Sequence, residues 1–104
     1  MDAATCVFVL PDGREGMAKN WPAASLPPAE RWHVAVRDEG WHTWGPPLEV
    51  VHVTELGGQG GEIVTVRVPD LGLLTVSHAP VASVPMRARW AVTGAEIVRV
   101  EEGT

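Results

Sequence analysis

Metal or acid–base chemistry in this 104-residue chain would have to draw on four histidines, one cysteine and thirteen acids. His33, His42, His52 and His78 lie 9, 10 and 26 positions apart. None of these intervals is the HxH or HxxxH spacing that puts two ligands on one face of a strand or helix. A metal site would therefore have to be built across strands, from His33, His52 and Glu49 with Glu55 close by. Such a set suits zinc with an open position, or a non-haem iron in a barrel mouth. Ligand-free histidines on surfaces and loops are the commoner outcome, and no cofactor is expected.

Nucleophilic catalysis has less to work with. Ser77 and His78 are adjacent, and neighbours on a strand face opposite ways, so they form no dyad. Ser25 and Ser83 sit in proline-broken segments without a G-x-S-x-G context. Cys6 lies in the apolar run TCVFVL and reads as a buried thiol. Asp38-Glu39 and Glu101-Glu102 fall in a turn and a tail, where paired acids are solvated charge. No catalytic residue is expected, and the chain reads as non-enzymatic.

The residues best suited to recognition lie between Arg31 and Leu48, RWHVAVRDEGWHTWGPPL, which holds three of the five tryptophans. Asp38-Glu39-Gly40 is a turn signal, and Trp41-His42-Thr43-Trp44 follows it. If that segment is extended, Trp41 and Thr43 share one face while His42 and Trp44 share the other, so both indoles cannot enter one core layer. Pro46 and Pro47 fix φ and remove two backbone donors, which favours a stiff, polyproline-like path. Trp41, His42, Trp44, Pro46 and Pro47 thus form a candidate aromatic shelf for a protein partner, since an indole offers a large apolar area and one N–H at little entropic cost. The competing reading places both indoles as caps over the open end of the core.

A second candidate surface is basic. Arg31, Arg37, Arg67, Arg87 and Arg89 fall at outward positions of expected strands, and adjacent strands would gather them into a face for a carboxylate, phosphate or acidic partner. Cross-strand pairing with Glu49, Glu55, Glu62 and Glu96 is the plainer use of these arginines. The net charge of −5 opposes nucleic-acid binding, which rests on clustered cations. No apolar run approaches the ~20 residues of a membrane span and no basic leader precedes one. With a single cysteine, these features predict a cytoplasmic protein without nucleic-acid or membrane partners.

These side chains must be positioned by strands. Thr5–Leu10 is short and β-branched, and Pro11-Asp12-Gly13 turns it back. The proline-rich Asn20–Glu30 reads as a loop with room for one helical turn, pinned by Trp21 and Leu26. From 31 to 37, Trp32, Val34 and Val36 alternate with Arg31, His33 and Arg37, the period-two signature of a half-buried strand. Leu48–Leu56 carries apolar residues on both faces, Val51 and Val53 on one, which predicts a central or bent strand. Gly57–Gly61 is a hairpin loop into Glu62–Pro69, where Val64, Val66 and Val68 point inward. Leu73–Ser77, Arg87–Thr93 (Ala88, Trp90 and Val92 inward) and Ala95–Glu101 (Val98 and Val100 inward) complete the set. Six to eight short strands with little helix predict one all-β domain over 1–104, a small antiparallel barrel or sandwich, with an SH3-like barrel favoured.

Overall fold

One stretch of the sequence occurs twice. Pro11-Asp12, Pro22-x-Ala24-Ser25-x-Pro27 and Arg31-Trp32-x-Val34 return 58 positions later, without a gap, as Pro69-Asp70, Pro80-x-Ala82-Ser83-x-Pro85 and Arg89-Trp90-x-Val92. The fold follows this duplication in a computed structural model that describes residues 3–21, 25–38, 40–57 and 60–102. The first half runs β1 (Ala4–Val9), β2 (Glu15–Asn20), a 3-10 turn (Pro28–Arg31), β3 (Trp32–Arg37) and β4 (Glu49–Glu55). The second repeats it as β5 (Glu62–Val68), β6 (Gly72–His78), a 3-10 turn (Met86–Arg89), β7 (Trp90–Thr93) and β8 (Glu96–Glu102).

The eight strands form two antiparallel four-stranded sheets, ordered β3-β2-β1-β8 and β4-β5-β6-β7. Each sheet thus takes three strands from one half and the fourth from the other. The two ladders do not close into the SH3-like barrel that the sequence favours. Strand pairing is replaced at the open corners: the first 3-10 turn packs on β4 and the second on β8, while the N–H groups of Gly45 and Leu48 donate to the β3 carbonyls of Val36 and Val34. Among the described residues no helix is long and apolar enough to cross a membrane. Parts of two expected turns, Glu39 and Gly58-Gln59, lie outside the described residues, as does 22–24 of the proline-rich loop.

Both sheets contribute to one core. Cys6, Phe8, Ala18, Trp32 and Val34 from the first meet Val64, Val66, Val68, Leu74, Val76 and Trp90 from the second. Phe8 is paired across the ladder with Gly16, and its ring occupies the space that a Cβ on Gly16 would need. The related pair in the second half, Val66 and Leu74, divides a similar volume between two mid-sized side chains, as close packing demands.

The fourth strands depart from simple alternation. Pairing of β4 with β5 skips from Val50 to His52, and pairing of β8 with β1 skips from Ile97 to Arg99. Each is a β-bulge, whose extra residue reverses the inside–outside phase beyond it. Val50 and Val53, like Ile97 and Val100, therefore pack on the core, whereas Val51 and Val98 are 42% and 50% exposed. This corrects the expected inward pair Val98/Val100 and separates Val51 from Val53, which simple alternation places on one face.

Related residues meet where the halves join. Trp32 and Trp90 are edge-to-face, with ring centroids 6.0 Å apart, and the related Asn20 and His78 are hydrogen-bonded at 2.8 Å. Asn20 Nδ2 donates to the Arg31 carbonyl and to Glu62, so its Oδ1 must face the imidazole, and the ring proton sits on His78 Nδ1. Nε2 is buried without a partner. Charging the ring would bury an unpaired Nε2–H beside Trp90, on which the imidazole stacks at 4.2 Å. Burial, with the Arg89 charge adding and Glu102 opposing, accordingly pushes the His78 pKa down to about 4.

A sign follows from this. Above the ordinary histidine value of 6.5 both folded and unfolded states hold a neutral ring. As pH falls from there towards 4 only the unfolded state gains the proton, so stability declines, and His78 adds no further loss below about 4. Urea unfolding at pH 7 and pH 5 should show a loss of about 2 kcal/mol in the wild type. The His78→Asn protein, less stable at pH 7, should lack most of that loss, and an equal loss in both proteins would contradict the assignment.

Candidate functional site

The halves differ most at one corner. Thr93 passes to β8 through Gly94 and Ala95 alone, with Gly94 at φ 85°, a left-handed conformation that suits glycine. At the related corner the sequence offset between the halves falls from 58 to 47, an insertion of eleven residues that carries Trp41 and Trp44. The second half completes the same fold without it. The insertion therefore has no part in forming the sheets.

The inserted loop is nevertheless tied to β3. Gly45 N–H donates to Val36 O at 2.9 Å and Leu48 N–H to Val34 O at 2.8 Å, while Trp41 N–H closes a turn on Asp38 O. A Cβ on Gly45 would stand 2.9 Å from Val36 O, so only glycine approaches β3 this closely. Arg37 is the central anchor. Its guanidinium lies 4.2 Å from the centroid of Trp44, pairs with Glu15 at 3.3 Å and donates to His42 O. Trp44 is half-buried beneath it, whereas Trp41 is 62% exposed and His42, Pro46 and Pro47 are exposed. The described residues 40–48 carry no strand, in keeping with a loop after β3, and neither indole enters the core, where Trp32 and Trp90 lie.

Two hollows meet at Val36. Trp41 walls the smaller with Arg14, Arg37 and Asp38. The larger, about 440 Å³, runs between Pro46-Pro47-Leu48 and the β5 end at Arg67 and Pro69. A related hollow of about 300 Å³ lies at the opposite corner between Leu10-Pro11 and Gly94-Ala95. The insertion thus deepens one of two equivalent corner grooves and sets an exposed indole beside it. Val36, Arg14 and Pro69 had no signal in a linear reading; aligning the halves would have isolated the insertion they surround.

The other candidate sets are not brought together. Arg31 belongs to the first 3-10 turn and Arg87 and Arg89 to the second, so these three are not strand residues. Arg31 pairs with Glu62 at 3.2 Å and Glu55 at 3.7 Å, and Arg67 with Glu49 at 3.4 Å. Arg89 pairs with Glu102, not with Glu96. The five arginines are spread over both sheets and both turns, with Arg37 on β3, Arg67 on β5 and the other three on the 3-10 turns, and they make no common face. His33 is on β3 in one sheet, while His52 and Glu49 are on β4 in the other. Among the described residues no three metal-binding side chains converge. Burial pushes the Cys6 thiol up to about 12, which leaves it protonated and unreactive at neutral pH.

Compared with known proteins, the chain matches no family model, no curated protein and no solved structure at a significant level. The geometry of the corner therefore stands on its own. Arg37→Ala should release the loop while leaving the fold intact: a cost within about 1 kcal/mol, with amide exchange at Gly45 and Leu48 accelerated several-fold. Exchange at wild-type rates would show that Arg37 does not hold the loop.

Proposed function

We propose that the protein is a small binding module that docks on a protein partner through the corner loop, with Trp41 as the anchor and the Pro46–Pro47 groove as the adjoining cleft. The observation that carries this reading is the exposure of the Trp41 indole on an insertion, tied to β3, that the related half of the fold does without. An exposed indole that walls one hollow and adjoins a larger one, on an element the related half does without, is suited to serve as an aromatic hot spot for a partner. Fixing of the loop by Arg37 and by the two β3 carbonyls supports the reading further, because a pre-ordered loop loses little entropy on binding. The rim is mixed in charge, with Arg14, Arg37 and Arg67 beside Asp38 and Glu49, as expected of a polar border around an apolar centre. A lone buried cysteine agrees with work in a reducing compartment, the cytoplasm.

Affinity capture from a lysate of the source cell, quantified for the wild type and for Trp41→Ala, tests this directly. The substitution should leave the thermal midpoint within about 3 °C, since Trp41 lies outside the core. It should also weaken capture of a specific partner by about 30-fold, the effect of losing an aromatic hot spot worth ~2 kcal/mol. Undiminished capture, or a collapsed fold, would remove the loop from this role.

A further inference from the structure

The two halves treat their fourth strands differently. At β8 the Arg87 guanidinium reaches from the second 3-10 turn to the carbonyls on either side of the bulge step, Ile97 O at 2.9 Å and Val98 O at 3.4 Å. The arginine caps both carbonyls. Val50 and Val51 hold the related positions on β4, with the bulge at the same residue. The residue related to Arg87 is Ala29, which is exposed. Among the described residues no side chain donates to the Val50 or Val51 carbonyl. The edge that is capped in one half is open in the other.

The open stretch adjoins the corner loop, since β4 begins at Glu49, which lines the Pro46–Pro47 groove. Its charge is also suited to a cation. Glu49 and Glu55 bracket the stretch, with side chains 68% and 61% exposed although each touches one arginine. A second copy of the chain is disfavoured here, because antiparallel β4–β4 pairing would set Glu49 against Glu55. The chain itself shows which group fits: a planar guanidinium, whose several donors can serve two carbonyls at once as a lysine ammonium does less well.

We propose that the β4 edge beside Ala29 is a binding site for an arginine side chain of the protein partner, held at Val50 O and Val51 O as Arg87 is held at Ile97 O and Val98 O. The identity of the ligand as part of a partner rests on the docking role of the corner loop; the affinity of the edge for guanidinium does not. Titration of the 15N-labelled full chain with Nα-acetyl-arginine amide separates the two. The expected result is a saturable shift of the Val50, Val51 and His52 amides. Ala29→Arg, which supplies the missing cap from within the chain, should weaken that response at least about tenfold. Arg87→Ala should add a second responding set at Ile97, Val98 and Arg99. Absence of shifts on β4, or an unaltered titration in Ala29→Arg, overturns the site. Because the probe is the amino-acid amide alone, such a failure leaves the Trp41 reading standing, and a positive titration survives the failure of that reading.

Discussion

The exchange of fourth strands is the constraint on which the structure depends. Without β8, the β1 edge would be unpaired, and without β4 the same would hold for β5, so neither half can satisfy its own backbone donors and acceptors. The exchange commits the halves to a shared core, in which Trp32 of one half meets Trp90 of the other. Their edge-to-face contact contributes about 1 kcal/mol beyond the area buried. Each tryptophan is introduced by an arginine that performs the same task twice: Arg31 donates to Leu26 O and pairs with Glu55, and Arg89 donates to Val84 O and pairs with Glu102. The arginine thus ties the proline-rich loop to the strand contributed by the half's own C-terminal end. The repeated Arg-Trp dipeptide is the joint between loop, turn and core.

Duplication also separates scaffold from specialisation. Where the halves agree, as at Arg31/Arg89, Trp32/Trp90 and the two bulges, the residue serves the shared architecture. Where they differ, a local physical demand explains the difference. Asn20 and His78 face one another, and a hydrogen bond between them needs a donor and an acceptor; Glu62, whose counterpart is Ala4, fixes which is which by taking the Asn20 amide. Two further differences, Ala29 against Arg87 and the corner insertion, change what the molecule exposes. Both lie on the same side of the fold, around the start of β4.

Much of the scaffold was readable from the linear sequence because its strands are buried on alternate residues. Trp32-x-Val34-x-Val36 and Val64-x-Val66-x-Val68 face the core as period two requires. The fourth strands misled because a bulge breaks that period, and the spacing Val50-x-x-Val53, echoed by Ile97-x-x-Val100, was the trace it left. Arg31, Arg87 and Arg89 were misplaced on strands because a 3-10 turn of four residues is too short for its own periodicity to appear. The separation of His33 from His52 arises because β3 pairs with β2 and β4 with β5, so the chain changes sheets between β3 and β4, a step that the alternation within each strand does not encode. The Trp41–Pro47 stretch stood out by composition, but its status as an insertion emerges only when the halves are superposed by sequence.

The corner can carry an insertion because of how its backbone groups are satisfied. A two-residue turn through Gly94 already joins β7 to β8, so any longer connection must find partners for the polar groups it adds or leave them in water. Pro46 and Pro47 bring no N–H, and the N–H groups of Gly45 and Leu48 on either side of them return to β3, whose edge would otherwise be open. The loop therefore blunts an edge strand, a protective device in its own right, while Arg37 turns the Trp44 ring into a base for the loop instead of a second exposed indole. These contacts leave the Trp41 indole 62% exposed. Trp44 has a structural task beneath Arg37, whereas the Trp41 indole is the one held in solvent beside the deepened groove.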